Sequence, residues 1–327
     1  MSTHVEFCAS CGAPLEARWA EIVVVCTYCG CQNAPGPKGQ PVPSSVPDDG
    51  RPRFALAGRT YLIEGLLGQG DACAVYRGRW VRRLGELVVI KVLRSLGDAD
   101  LLRREFEVLE ELHRSEAQGA EHFVTRLPQP IALAPIQLGG EERLVGVLRW
   151  PAGFQYTLEQ VRAFHGEGVE GRIAVWILKR MLEVLGWLHG AGRVHGAVIP
   201  PHVLVHPRDH GALLIGYGLS TRHEAGRQEA LPALPKEWTS CYPDEVLSER
   251  FASPSSDLAM AARCALYAAG AETTGQTGNL PGALGRLVVS ASQGLHEDAW
   301  ELRAAVDRAA ADAFGPPRYN PLPMPGW

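Results

Sequence analysis

The stretch Val194-His195-Gly196-Ala197-Val198-Ile199-Pro200-Pro201-His202-Val203-Leu204-Val205 decides how the chain is read. Upstream, Ile173 to His189 is apolar nearly all round, with Ile173, Ile177, Leu178, Met181, Leu185 and Leu188 among its members. A helix apolar on every side is buried, so it delivers the chain to His195 from inside a core. Downstream, Val203-Leu204-Val205 reads as a short strand. Four histidines, His195, His202, His206 and His210, could suggest a metal cluster. Prolines at 200, 201 and 207 break any helical register between them, which favours structural and surface roles.

Working outward, 327 residues are enough for two or three domains. The 46% apolar and 21% charged content is that of a soluble globular chain, so a packed core is expected. A net charge of -4 gives no basic field to draw in nucleic acid or an anionic membrane. No apolar run reaches the ~18 residues a spanning helix needs. Met1-Ser2-Thr3-His4-Val5-Glu6 lacks the charged start and apolar centre of a secretory signal. A cytoplasmic protein is expected.

Five of the eight cysteines fall between residues 8 and 31. Cys8-Ala-Ser-Cys11-Gly12 and Cys26-Thr-Tyr-Cys29-Gly30 are C-x2-C pairs, each followed by glycine. Two residues between thiolates let one tight turn set both sulfurs on one ion, and glycine takes the positive φ after it. Ala20 to Val25 reads as a strand leading into the second turn. Four ordinary core cysteines are the alternative, but so short a segment has too little core to fold without a staple. The pattern resembles a zinc ribbon, with Cys8, Cys11, Cys26 and Cys29 holding a structural Zn²⁺. Cys31 and His4 are spare, and no second ligand set follows. Arg18 is the one basic Lys or Arg in residues 1–35, which argues against a phosphate-tracking role. The Pro-, Gly- and Ser-rich stretch beyond residue 35 reads as a flexible linker.

Tyr61 to Leu67 is strand-like and runs into Gly68-Gln69-Gly70-Asp71-Ala72-Cys73-Ala74-Val75. Sixteen residues after Val75 comes Val88-Val89-Ile90-Lys91. Leu101 to His113 has helical periodicity, with Leu102, Phe106, Leu109 and Leu112 on one face and Glu105 beside them. Arg126 to Ile136 and Arg143 to Leu148 read as two more strands. Past the opening stretch lie Ala212 to Leu219, Tyr242-Pro243-Asp244-Glu245 and Asp257-Leu258-Ala259-Met260, the last opening a buried helix that ends at Gly270. Asp209 falls in the turn Pro207 to Gly211. The Gly- and Thr-rich stretch from Gly270 to Leu280 offers no helix. Leu295 to Phe314 is amphipathic with Ala299, Trp300, Leu302 and Val306 inward, and the tail to Trp327 is expected to be loose.

In this order the stretches resemble the eukaryotic-type protein kinases over roughly residues 56–314. The implied fold is α+β and bilobal, with a β-rich small lobe and a helical large lobe, after the ribbon. The implied organisation is 1–35 ribbon, 36–55 linker, 56–150 small lobe, 151–314 large lobe and 315–327 Pro-rich tail. The resemblance makes Gly68 and Gly70 the glycine-rich loop, with Cys73 in place of its third glycine. Leu67 and Val75 would flank an adenine, Lys91 would reach the phosphates and Glu105 would pair with Lys91. Arg149 to Gly153 would be the hinge, with Leu148 at the back of the nucleotide pocket.

The family's His-Arg-Asp reads His195-Gly196-Ala197 here, its Asn is His202, and the Asp of Asp-Phe-Gly is Gly216. Residues that hold the fold remain: His195, Asp257 and Glu245, although the usual Arg partner of Glu245 is replaced by His296. Residues that do chemistry are missing. Phosphoryl transfer needs a carboxylate to accept the hydroxyl proton and oxygen ligands to hold Mg²⁺. Ala197 cannot accept a proton, Gly216 cannot bind a hard cation, and His202 is a poor ligand for one. Losing a general base costs roughly 10²–10⁴ in rate. The expectation is a pseudokinase that scaffolds other proteins. It leaves room for weak, largely Mg²⁺-independent ATP binding. The competing readings are an atypical Ser/Thr kinase or nucleotidyl-transferring enzyme, and a ribbon-led nucleic-acid module.

Overall fold

A computed structural model describes residues 4–7, 14–17, 24–25, 32–33 and 51–325, apart from 83–84, 139, 225–226 and 274. Cys8, Cys11, Cys26, Cys29 and Cys31 lie outside the described residues, as does 36–50. Near the start, β1 (His4–Phe7) pairs antiparallel with β2 (Pro14–Ala17), and β3 (Val24–Val25) with β4 (Gln32–Asn33). The chain divides into two compact units, residues 1–103 with 129–153 and residues 104–128 with 154–327.

The first unit is built on a six-stranded antiparallel sheet. Its strands are β5 (Arg53–Leu56), β6 (Arg59–Gln69), β7 (Cys73–Trp80), β8 (Glu86–Leu93), β9 (Pro130–Leu138) and β10 (Glu141–Arg149), in the order β5-β6-β7-β8-β10-β9. Val88, Ile90 and Val92 alternate along β8 and meet Val145, Val147, Phe54 and Tyr61 in one core. The period of two places Lys91 on the opposite face. β9 starts four residues later than the sequence suggests, because Val124–Arg126 forms a 3-10 turn. Pro128 and Pro130 follow it, and a proline that cannot donate sits most easily at a strand's first residue.

Helix α1 (Ala99–His113) buries Leu102, Phe106, Leu109 and Leu112, the face read from the sequence. The second unit continues with α2 (Ala120–Phe123), β11 (Tyr156–Thr157), α3 (Leu158–Phe164), α4 (Gly171–Gly190) and β12 (Arg193–Val194). Next come β13 (Val203–His206), β14 (Gly211–Leu214), β15 (Thr221–Glu224) and β16 (Arg227–Gln228), then α5 (Asp244–Glu249), α6 (Pro254–Ala268), α7 (Gly282–Ala291) and α8 (Ala299–Phe314). Two small sheets, β11-β13-β14 and β12-β15-β16, lie among the helices.

α4 is the centre of this unit and packs against α6 and α8. Its acid Glu183 is buried among Arg126, Arg180 and Arg303 at 2.9–3.1 Å. Burial alone would raise the Glu183 pKa, but hydrogen bonds and charge from the arginines, Arg180 first, carry it below the usual carboxylate value. Among the described residues no helix is long and apolar enough to cross a membrane.

Three expectations change here. α8 begins at Ala299, not Leu295, because Asp298 Oδ1 accepts from the N–H groups of Trp300 (2.7 Å) and Glu301 (2.9 Å) and caps the helix. Trp300 is 45% exposed rather than inward, with its ring over Gly186, where a Cβ would come within 2.7 Å of it. α7 was not legible: it buries Leu284, Val288 and Ala291, a helical spacing hidden among glycines. The tail is docked rather than loose. Leu322 and Met324 are buried, while Pro321, Pro323 and Pro325 are exposed, the period of an extended chain on a surface.

Candidate functional site

In the first unit, strand register lines up three of the residues singled out for nucleotide. Gly68 faces Val75 across β6 and β7, and Val75 faces Lys91 across β7 and β8. Side chains of directly opposed residues share a face, and this face is the one away from the sheet core. Lys91 in turn faces Gly146 of β10, so no bulky neighbour crowds it from that strand. The turn beyond β6 is closed by the Gly70 N–H donating to the Cys73 carbonyl (2.9 Å), and Arg94 Nη1 donates to the Gly70 carbonyl (2.9 Å). A Cβ on Gly68 would meet nothing within 4 Å, so packing inside the unit does not demand glycine there. Leu67, at a register shift of β6, is 43% exposed; Leu148 is buried. Glu105, on α1 in the second unit, is buried.

In the second unit, Asp257 at the start of α6 is fully buried and organises the loop after β12. Its Oδ2 accepts from the His195 N–H (2.7 Å) and the His189 imidazole (3.0 Å), and its Oδ1 accepts from the Gly196 N–H (2.9 Å). Pro254 at the first turn and the Ser253–Ser256 capping box begin the helix at the register that aims this carboxylate at the loop. His195 is itself fully buried, edge-on to the Tyr217 ring at 4.7 Å, and its Nδ1 accepts from the Ala197 N–H (3.3 Å).

The loop brings Ala197, His202 and Gly216 together. Ala197 is fully buried. The His202 Nδ1–H donates to the Ala197 carbonyl at 3.0 Å, which fixes the imidazole. That ring lies over Gly216: a Cβ there would stand 2.7 Å from its Cε1 and Nδ1. Gly216 also has φ +85°, a conformation that suits glycine. Where a carboxylate would stand at 216, an imidazole already fills the space. Hard divalent cations take oxygen ligands, and a methyl, an imidazole and a glycine do not fit one. Asp209, the nearest acid upstream, sits in its turn with His206 (3.3 Å) and Arg208 (3.0 Å).

Solved protein kinases have the same architecture. Vaccinia related kinase 3 superposes with a TM-score of 0.59 at 15% identity, over 88% of this chain and 97% of that one. The BubR1 kinase domain gives 0.58 at 14% identity, over 80% and 83%. The fold is protein kinase-like. A stretch of 152 residues is 31% identical to "Serine/threonine-protein kinase pkn3" of Myxococcus xanthus, which is 45% of this chain and 25% of that protein. The chain therefore spans about a quarter of the length of this curated relative. No protein-family model matches the chain.

Within the kinase-like second unit, two sets of contacts were not read from the sequence. Glu245 is exposed and does not tie the fold together. Arg263, a lone cation in the apolar α6, takes that place: it donates to the carbonyls of Tyr242 (2.6 Å), Ser292 (3.0 Å) and Ser240 (3.2 Å). The segment after Gly216 is held by charges of its own. Glu111 accepts from Arg193 and from Arg222 (3.1 Å), while Arg104 donates to the Ser220 carbonyl (2.8 Å) and pairs with Glu229 (2.7 Å). Residues more than 80 positions apart meet here, so no local spacing announces them.

Burial pushes the His195 imidazole down to about 4, against a smaller upward pull from Asp257. The unfolded chain binds that proton near pH ~6.5, so below this pH it holds more protons than the folded chain. Stability should then be full above pH 6.5 and fall as pH drops toward 4, by on the order of 3 kcal/mol from this group. His206 and His210, also lowered by burial, act in the same direction. Urea midpoints measured from pH 7.5 to 4.5 should decline steadily, with a shallower slope in a His195→Leu variant. A flat profile would mean that His195 is not held neutral.

Proposed function

We propose that this chain is a catalytically impaired kinase-like protein, a pseudokinase, acting in the cytoplasm as a protein-interaction or regulatory scaffold. The observation that carries the reading is the His202 ring over Gly216, beside a fully buried Ala197. Phosphoryl transfer in kinases depends on a base carboxylate and on two metal-holding side chains, and all three positions hold something else. The groups that order the backbone, Asp257 foremost, are kept. With labelled ATP, Mg²⁺ or Mn²⁺ and a general protein substrate, the chain should give no transfer above its Lys91→Ala variant. Transfer abolished by Lys91→Ala would refute the proposal.

Retention of Gly68, Gly70, Val75 and Lys91 on the strand-rich unit supports weak ATP binding that owes little to Mg²⁺. ATP should raise the melting temperature equally with and without Mg²⁺. No shift in either condition would remove nucleotide from the proposal and leave the scaffold. We assign one structural zinc to Cys8, Cys11, Cys26 and Cys29. Elemental analysis should find one zinc per chain, lost in a Cys8→Ser/Cys11→Ser variant.

The 152-residue similarity to a Ser/Thr protein kinase favours a second reading, an active enzyme of unusual design. Phosphorylated or adenylylated product in mass spectrometry would decide for it.

A further inference from the structure

The docked tail points to a peptide-binding groove on the second unit. Residues 319–325 read Tyr-Asn-Pro-Leu-Pro-Met-Pro. With proline at every second position the segment favours an extended course without internal hydrogen bonds. It turns Leu322 and Met324 inward and its prolines outward. Its three prolines have no N–H to offer, so the segment is richer in acceptors than donors, and the groove answers chiefly with donors. His210 Nε2 donates to the Asn320 carbonyl (2.6 Å) and His165 Nε2 to the Pro323 carbonyl (3.0 Å). The Tyr156 hydroxyl donates to the Pro325 carbonyl. The Asn320 amide donates to Glu170 (2.6 Å). Tyr319 stacks on one face of His210 and Trp176 on the other, each at 4.6 Å.

Nothing in this recognition requires the segment to belong to the same chain. It uses backbone carbonyls, two apolar side chains, one amide and one ring, and the tethering residues 316–318 are exposed. The donors come from three separate elements, β11, the end of α3 and the turn before β14, so the groove is a feature of the folded unit. We infer that it is a binding site for extended, proline-alternating segments of partner proteins, with the pattern aromatic-amide-Pro-aliphatic-Pro-aliphatic-Pro, and that the chain's own tail occupies it in competition. This stands apart from the nucleotide question.

The test uses the full chain carrying Leu322→Ala and Met324→Ala, which frees the groove, and two labelled peptides. One is residues 317–325; the other keeps only the pattern, Tyr-Asn-Pro-Val-Pro-Val-Pro. Both should bind the freed chain saturably at one per chain, and at least tenfold more weakly to the unaltered chain, whose tail competes. His165→Ala/His210→Ala in the freed chain should abolish binding, with circular dichroism and melting showing that each variant folds. Equal affinity for freed and unaltered chains, or no saturable binding to a folded freed chain, would overturn the groove. Binding of the native tail peptide but not the pattern peptide would overturn the partner assignment and leave a private clamp. A concentration-dependent dimer of the unaltered chain, lost in the freed variant, would also overturn it in favour of a second copy.

Discussion

An Asp257→Ala variant should melt roughly 6–20 °C below the unaltered chain. The carboxylate is fully buried and accepts from two backbone N–H groups and one imidazole. Its removal leaves two buried donors without partners and opens a small void. Breaking one side of such a buried charged network costs about 3–5 kcal/mol. At about 2–4 °C per kcal/mol for a body of this size, the quoted range follows. Asp257→Asn keeps the volume but turns one acceptor into a donor facing donors, so most of the loss should remain. Asp209→Ala, in an exposed turn, should change the melting point by no more than a degree or two. A melting point for Asp257→Ala within 2 °C of the parent would show that the loop does not depend on this side chain.

Gly216→Asp should be destabilising by on the order of 2–4 kcal/mol, and part of that loss should vanish when His202→Asn accompanies it. Two costs are at work. The φ of +85° is strained for any residue with a Cβ, about 1–2 kcal/mol. The second is steric, because the new Cβ would sit 2.7 Å from the imidazole, itself fixed by the Ala197 carbonyl. Asparagine at 202 relieves the second cost and not the first. A double-mutant cycle in urea should therefore return a coupling of about 1–2 kcal/mol between the two sites. Additivity within ~0.5 kcal/mol would mean that the ring does not fill the space at 216.

What could be read from the sequence depended on the distance over which the signal acts. Local patterning carried the α1 face and the buried α4, since each is written in residues a few positions apart. The β8 strand, the loop frame around His195 and the glycine at 216 were legible only through the resemblance to kinase motifs. Contacts across the chain were not. Arg263 looks like any helix arginine until three carbonyls converge on it, and Glu111 gives no sign of meeting Arg193 and Arg222. Glu245 was read as a structural anchor from its motif, yet it faces solvent. The tail was misread because prolines usually mark chain without a partner, whereas Leu322 and Met324 between them form a two-residue stripe. His202 was read as a missing ligand; that its ring also fills the neighbouring position needed three dimensions.

Helix α6 gathers the backbone around it from two points. Its first turn supplies an anion to stray amides, and Arg263, less than two turns on, supplies a cation to stray carbonyls. Neither group is among the three positions, 197, 202 and 216, that meet in the loop. What stands at those three positions is set apart from what holds the backbone, so on the reading proposed above the first could change while the keystone of the arch stayed in place.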